Sequence, residues 1–94
     1  MGNKAHRMDD ANTGGGEIKT IPQGDKKVYV NSKLLAIDGS KGTGHGVGIH
    51  AENAWDTANG SSTVNAGWIP VNKEGDADTC AHTRTGGSSN VNIG

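Results

Sequence analysis

Four residues of this 94-residue chain carry side chains able to bind a metal ion and fall in two short loops: His45, His50, Cys80 and His82. Thiolate and neutral imidazole are the ligand types of zinc. His45 and His50 bound a glycine-rich stretch, and Cys80-x-His82 is a tight pair unlike the C-x2-C or H-x3-H spacing of zinc fingers. Each residue also has an ordinary reading. His45 and His50 suit a solvated loop or a strand end, and Cys80 suits a small buried apolar residue. His6, in the polar opening segment, is expected to be exposed, and its replacement by alanine nearly silent if His50 is the fourth ligand.

Catalytic patterns are sparse. None of the six serines lies in G-x-S-x-G. The run Gly42-Thr43-Gly44-His45-Gly46-Val47-Gly48 has glycine at every second position, which fits neither G-x-G-x-x-G nor the G-K-[ST] of a phosphate loop. Alternating glycine suits backbone packed close to a metal or a symmetry axis, where a Cβ would collide. A zinc-dependent hydrolase would need an open coordination position and a carboxylate base, for which Glu52, Asp76 and Asp78 are available.

The elements that must position these groups are thin. Leucine, isoleucine and valine total fourteen, phenylalanine is absent, and glycine numbers sixteen. Such a chain cannot build a thick core, which argues against helical bundles, nucleotide-binding α/β domains and deep-pocket enzymes. Disorder is one alternative, but a net charge of −1 opposes it. No basic stripe favours nucleic acid, and no apolar run is long enough for a membrane helix. The opening residues lack a signal-peptide core, and a lone cysteine makes an intramolecular disulfide impossible. Residues 1–94 read as a single domain.

Twelve of the fourteen aliphatics are β-branched, which favours strands. Val28-Tyr29-Val30 and Leu34-Leu35-Ala36-Ile37 read as a hairpin about Asn31-Ser32-Lys33. Val64 to Gly67 and Trp68 to Val71 read as a second, its strand ending or lying at an edge because of Pro70. Val91-Asn92-Ile93 is a third strand with nothing after it. Residues 50–56 tolerate one or two helical turns. A header, G-[DS]-x-x-V, recurs at Gly24, Gly60 and Gly87, about thirty residues apart, as in repeats that cannot bury an apolar face alone. Ile37-Asp38-Gly39 and Glu74-Gly75-Asp76 add a second echo.

Together these features resemble the PAAR-repeat family, the tip proteins of phage tail spikes and type VI secretion spikes. Gly24 to Ala36, Gly60 to Asp76 and Gly87 to Val91 follow its repeat in order, and Ala5-His6-Arg7-Met8-Asp9-Asp10 is similar to its opening. The resemblance implies a mainly β fold, a small pseudo-three-fold β-cone of three hairpin repeats with one structural metal near the vertex. Zinc is the expected ion, with iron the alternative. Three histidines and a cysteine bind it in the family. His45, Cys80 and His82 match, whereas the first loop has Thr13 or Gly14 where the family has histidine. His50 is the choice for the fourth ligand and His6 the second choice. The resemblance also implies a non-enzymatic role: one tip seated on a trimeric spike β-helix, in transient contact with the bacterial outer membrane. Nucleic acid and small-molecule substrates are not expected. Val28, Val30, Val91 and Ile93 are the candidate partner contacts. A virion location after synthesis in the host cytoplasm is favoured over secretion by a type VI system.

Overall fold

A computed structural model of the chain describes residues 3–23 and 27–93. The fold is mainly β. Its eight short strands are β1 (Asn3–Lys4), β2 (Ile18–Thr20), β3 (Tyr29–Val30), β4 (Lys33–Leu34), β5 (Lys41–Gly42), β6 (Asn65–Ala66), β7 (Ile69–Pro70) and β8 (Asn92–Ile93). All pair antiparallel and two by two: β1 with β8, β2 with β5, β3 with β4, β6 with β7. Among the described residues there is no α-helix. The segment expected to tolerate one holds only turns after a 3-10 turn at Gly48–His50, because left-handed Asn53 interrupts it.

Three of the four pairs share one plan. In β3–β4 and β6–β7 the two-residue turns, Asn31-Ser32 and Gly67-Trp68, are left-handed throughout, the geometry that matches strand twist in a tight hairpin. The carbonyls of Val28, Val64 and Val91 accept from the amides of Leu35, Val71 and Ala5 at 2.9, 3.1 and 2.9 Å. The strand at Val91 to Ile93 therefore does find a partner, at the opposite end of the chain. Two headers also share a local bond: Ser61 and Ser88 each accept, on Oγ, from the amides two and three residues on. Of the first header, Gly24, Asp25 and Lys26 lie outside the described residues.

Trp68 is a misfit in this plan. It holds φ +70° and is 96% exposed, so it bears left-handed strain with no burial in return. Trp68→Asn should raise stability by about 1 kcal/mol, read as a higher urea midpoint at unchanged slope.

Toward the candidate site, three tight turns repeat: Arg7–Asp10, Ile37–Ser40 and Lys73–Asp76. In each, the fourth amide donates to the first carbonyl, and the fourth side chain accepts from the first amide at 2.8, 3.4 and 2.9 Å. The third residue is left-handed in all three: Asp9, Gly39 and Gly75. The segments entering these turns bond in a closed circuit. Ala36 donates to His6, Asn72 to Ala36 and His6 to Asn72, at 2.9, 2.9 and 3.1 Å, and all three residues are fully buried. Beyond each turn a loop leaves and returns, and a second circuit ties the loops together. The amides of Thr13, Thr43 and Thr79 donate to the carbonyls of Thr83, Glu17 and Asp56, each at 2.9 Å. The same threonine hydroxyls accept from those residues' amides. Backbone polar groups in a chain with so little apolar mass are thus satisfied between segments.

Apolar packing divides in two. Ala5, Leu35, Ile37, Ala66, Val71 and Ile93 pack together, with Ile21, Val30 and Ile69 against them. Ile18, Ala36, Trp55 and Cys80 form the second group, with Met8 and Ile21 beside it.

Candidate metal centre

The second apolar group underlies the loops that carry the candidate ligands. Residues 45–50 close on themselves: the amide of His45 donates to the carbonyl of His50 at 2.8 Å, around the 3-10 turn Gly48–His50. Both imidazoles thereby stand at the foot of one loop. In the other loop the amide of Asp78 donates to the carbonyl of His82 at 2.7 Å, with left-handed Ala81 between Cys80 and His82.

His45, His50 and His82, all half-buried, offer nitrogens within 4.8 Å of one another, close enough to hold a metal ion. Their rings sit in a triangle with centroids 5.0 to 5.1 Å apart. His50 Nδ1 lies 3.2 Å from His45 Nε2. Cys80 is not part of that mutually close trio, but its buried Sγ lies 3.6 Å from the same Nε2. Thr13 Oγ1, from the first loop, lies 3.1 Å from His82 Nδ1 and leaves Nε2 of that ring for another partner.

The first loop contributes space rather than a ligand. A Cβ on Gly14 would stand 2.7 Å from His45 Cδ2 and from His82 Nε2, and one on Gly16 would stand 2.5 Å from His45 Nδ1. Both lie far inside van der Waals contact. Of the glycines in residues 42–48, only Gly46 packs against a candidate ligand, His50, whereas Gly42 and Gly44 pack against the backbone of Glu17 and Glu52. Trp55 closes the inner side, edge-on to His45 with centroids 5.6 Å apart, its Nε1 donating to the Thr43 carbonyl at 2.9 Å.

Beneath Trp55 lies a buried polar network that no sequence motif announces. Arg84 is 1% exposed and stacks 5.1 Å over the indole. Its Nη2 donates to Asp78 Oδ2 at 2.8 Å and to the Gly16 carbonyl at 3.0 Å. Asn12 Nδ2 donates to the same Asp78 oxygen at 2.9 Å. Burial pushes the Asp78 carboxyl up, with Asn12, Arg84 and His45 holding it down in part.

His6 belongs to this network and not to the metal cluster. The expectation of an exposed His6 is corrected: it is fully buried, Nε2 accepts from Arg84 Nη1 at 3.3 Å, and Nδ1 faces the Gly86 carbonyl at 3.4 Å. The opening segment is polar in composition, but it forms one side of the inner backbone circuit, which carries His6 inward. Its place as second choice for a ligand falls for the same reason.

No family model and no curated protein matches this sequence.

Burial first, and the Arg84 charge second, lower the His6 pKa from 6.5 to about 4. The unfolded chain therefore takes up the proton first. The contribution of neutral His6 is complete above about pH 6.5 and declines as pH falls toward 4, by roughly 3 kcal/mol in all. Urea midpoints measured between pH 7 and 4 should show this decline, and His6→Gln should flatten it.

The expected partner residues differ in accessibility. Val28 is 43% and Val91 36% exposed, whereas Val30 is half-buried against the core and Ile93 is inside it. Trp55 and Arg84 carry no functional reading in the sequence; Thr13 stands there only where the family has histidine, and Asp78 only as an available base. A signal for the threonines exists: Asp10-Ala11-Asn12-Thr13, Ser40-Lys41-Gly42-Thr43 and Asp76-Ala77-Asp78-Thr79 share a final threonine three places after the turn-closing residue.

Proposed function

We propose that the protein is a metal-stapled β-cone of three related units that caps the trimeric β-helical spike of a contractile injection machine. A phage tail is the favoured setting, and a type VI secretion spike the alternative. The observation that carries the reading is the pair of closed three-part circuits with the histidine cluster at the loop end.

His45, His50, His82 and Cys80 would hold the ion. In a tetrahedral zinc site, bonds of about 2.0–2.1 Å to nitrogen and 2.3 Å to sulfur place ligand nitrogens about 3.3 Å apart and nitrogen about 3.6 Å from sulfur. The His50–His45 and Cys80–His45 separations of 3.2 and 3.6 Å fit that set. Four protein donors make a closed, structural site, in which the ion supplies cross-linking and not turnover. With Nε2 of His82 toward the ion, its Nδ1–H donates to Thr13 and ties in the first loop.

The opposite end suits a three-fold partner. The two hairpins and the β1–β8 pair present equivalent positions at Val28, Val64 and Val91, all exposed. Short strands with unpaired backbone can be continued by a β-helix end. The work is mechanical, a rigid point that meets the outer membrane as the spike is driven forward. Elemental analysis of the purified chain should give one zinc per chain, and mixing with a trimeric spike β-helix should give a one-per-trimer complex on a sizing column. A chain free of metal, or one that elutes apart from the trimer, would count against the proposal.

A further inference from the structure

His45 turns its Nε2 to His50 and Cys80, so an ion held there leaves the ring proton on Nδ1. That Nδ1 is buried and has no hydrogen-bond partner among the described residues. A ligating histidine ordinarily gives its second N–H to a carboxylate, a carbonyl or a water.

An acceptor in the same condition lies in the network beneath. Asp78 is 3% exposed, and its Oδ1 is buried with no partner among the described residues. Its Oδ2 is fixed by Arg84 and Asn12. Gly16 borders both groups: its absent side chain would crowd His45 Nδ1, and its carbonyl shares the Arg84 Nη2 that binds Asp78. The related position in the first loop sharpens the point. Asn12 spends its Oδ1 on its own loop, accepting from the amides of Gly14 and Gly16 at 2.9 and 2.8 Å. Asp78 leaves the corresponding oxygen free.

We propose that Asp78 is a positioning residue for the metal cluster: its Oδ1 accepts, through one bound water beside Gly16, the Nδ1 proton of His45. The relay runs from Arg84 and Asn12 through Asp78 and the water to His45. It fixes the tautomer of His45, orients the ring and raises the basicity of Nε2. Neither orphan reaches the other directly, and Gly16 adjoins both, its α-carbon against the His45 ring and its carbonyl on the guanidinium that binds Asp78. The inference rests on the metal reading above.

The test compares zinc affinity of the full chain with that of Asp78→Asn by chelator competition, alongside nitrogen-proton correlation spectra of the imidazoles. Asp78→Asn should bind zinc about 10- to 100-fold more weakly and shift the His45 Nδ1 proton resonance. Asp78→Glu should recover part of the affinity. Equal affinity with an unmoved resonance overturns the role of Asp78 while leaving the metal reading intact. An unmodified chain that binds no zinc overturns both. If Asp78→Asn does not fold, the zinc-loaded unmodified chain decides: a cross-relaxation signal between the His45 Nδ1 proton and a long-lived water supports the relay, and its absence overturns it.

Discussion

Removing the ion proposed for the histidine cluster should collapse the protein. Prolonged dialysis against a strong chelator, or the double variant His45→Ala/Cys80→Ser, should lower the melting temperature by more than about 20 °C. The size of the effect follows from what else is available. Fourteen aliphatic residues, two tryptophans (one of them almost wholly exposed), two methionines and one tyrosine are the large apolar side chains of 94 residues. A domain of this size is marginal even with an ordinary core. A structural zinc site supplies on the order of 10 kcal/mol at neutral pH. Each kcal/mol moves the midpoint of a domain this small by about 4–8 °C, so half of that amount already gives about 20 °C or more. The ligands come from two loops, and Thr13 brings in the third, so the site restrains the whole loop end at once. Calorimetry of metal-loaded, stripped and double-variant protein checks the prediction. Superimposable transitions would show that the cluster holds nothing that matters to stability.

Arg84→Met should cost about 3–5 kcal/mol, the loss that follows when one partner of a buried ion pair is removed. Arg84 is almost wholly inaccessible and lies 2.8 Å from Asp78, and neither side chain has solvent exposure. Without the guanidinium, the Asp78 carboxylate keeps only Asn12, the Gly16 carbonyl keeps only the Asn12 amide, and His6 Nε2 loses the proton it accepts. Trp55 also loses the cation over its face. Replacing both charges, as Arg84→Met/Asp78→Leu, should recover much of the loss, because the cost of the single variant is an uncompensated charge and not the absence of a favourable pair. Urea unfolding of the two variants separates these cases. A single variant within 1 kcal/mol of the unmodified chain would mean that water reaches the network.

These two predictions draw on different parts of the chain's legibility. The types and spacing of His45, His50, Cys80 and His82 single out two loops along the chain, and in space the three imidazoles close on one another with the thiol beside His45. The β-branched composition and the turn residues announce short strands and two hairpins, which stand at Tyr29–Leu34 and Asn65–Pro70. Arg84 is illegible in the same way of reading. An arginine between Thr83 and Thr85 in a polar loop has the look of a solvated side chain, and only the return of that loop beneath Trp55 encloses it. His6 misleads for a related reason, since its neighbours along the chain are polar while its neighbours in space are Ala36, Asn72 and Arg84.

What the residues determined alone is local. β-Branching, left-handed turn positions and serine headers act over two to five residues, so strands, hairpins and ligand chemistry can be read in order along the chain. What the tertiary structure decided is closure. Val91 to Ile93 pair with the chain's first strand, the three turn segments bond in a circuit, and His50 instead of His6 joins the cluster. Each of these joins segments that are remote in sequence. Their choice depends on which backbone donors and acceptors remain unpaired once the local hairpins have formed, and a linear pattern carries no record of that remainder.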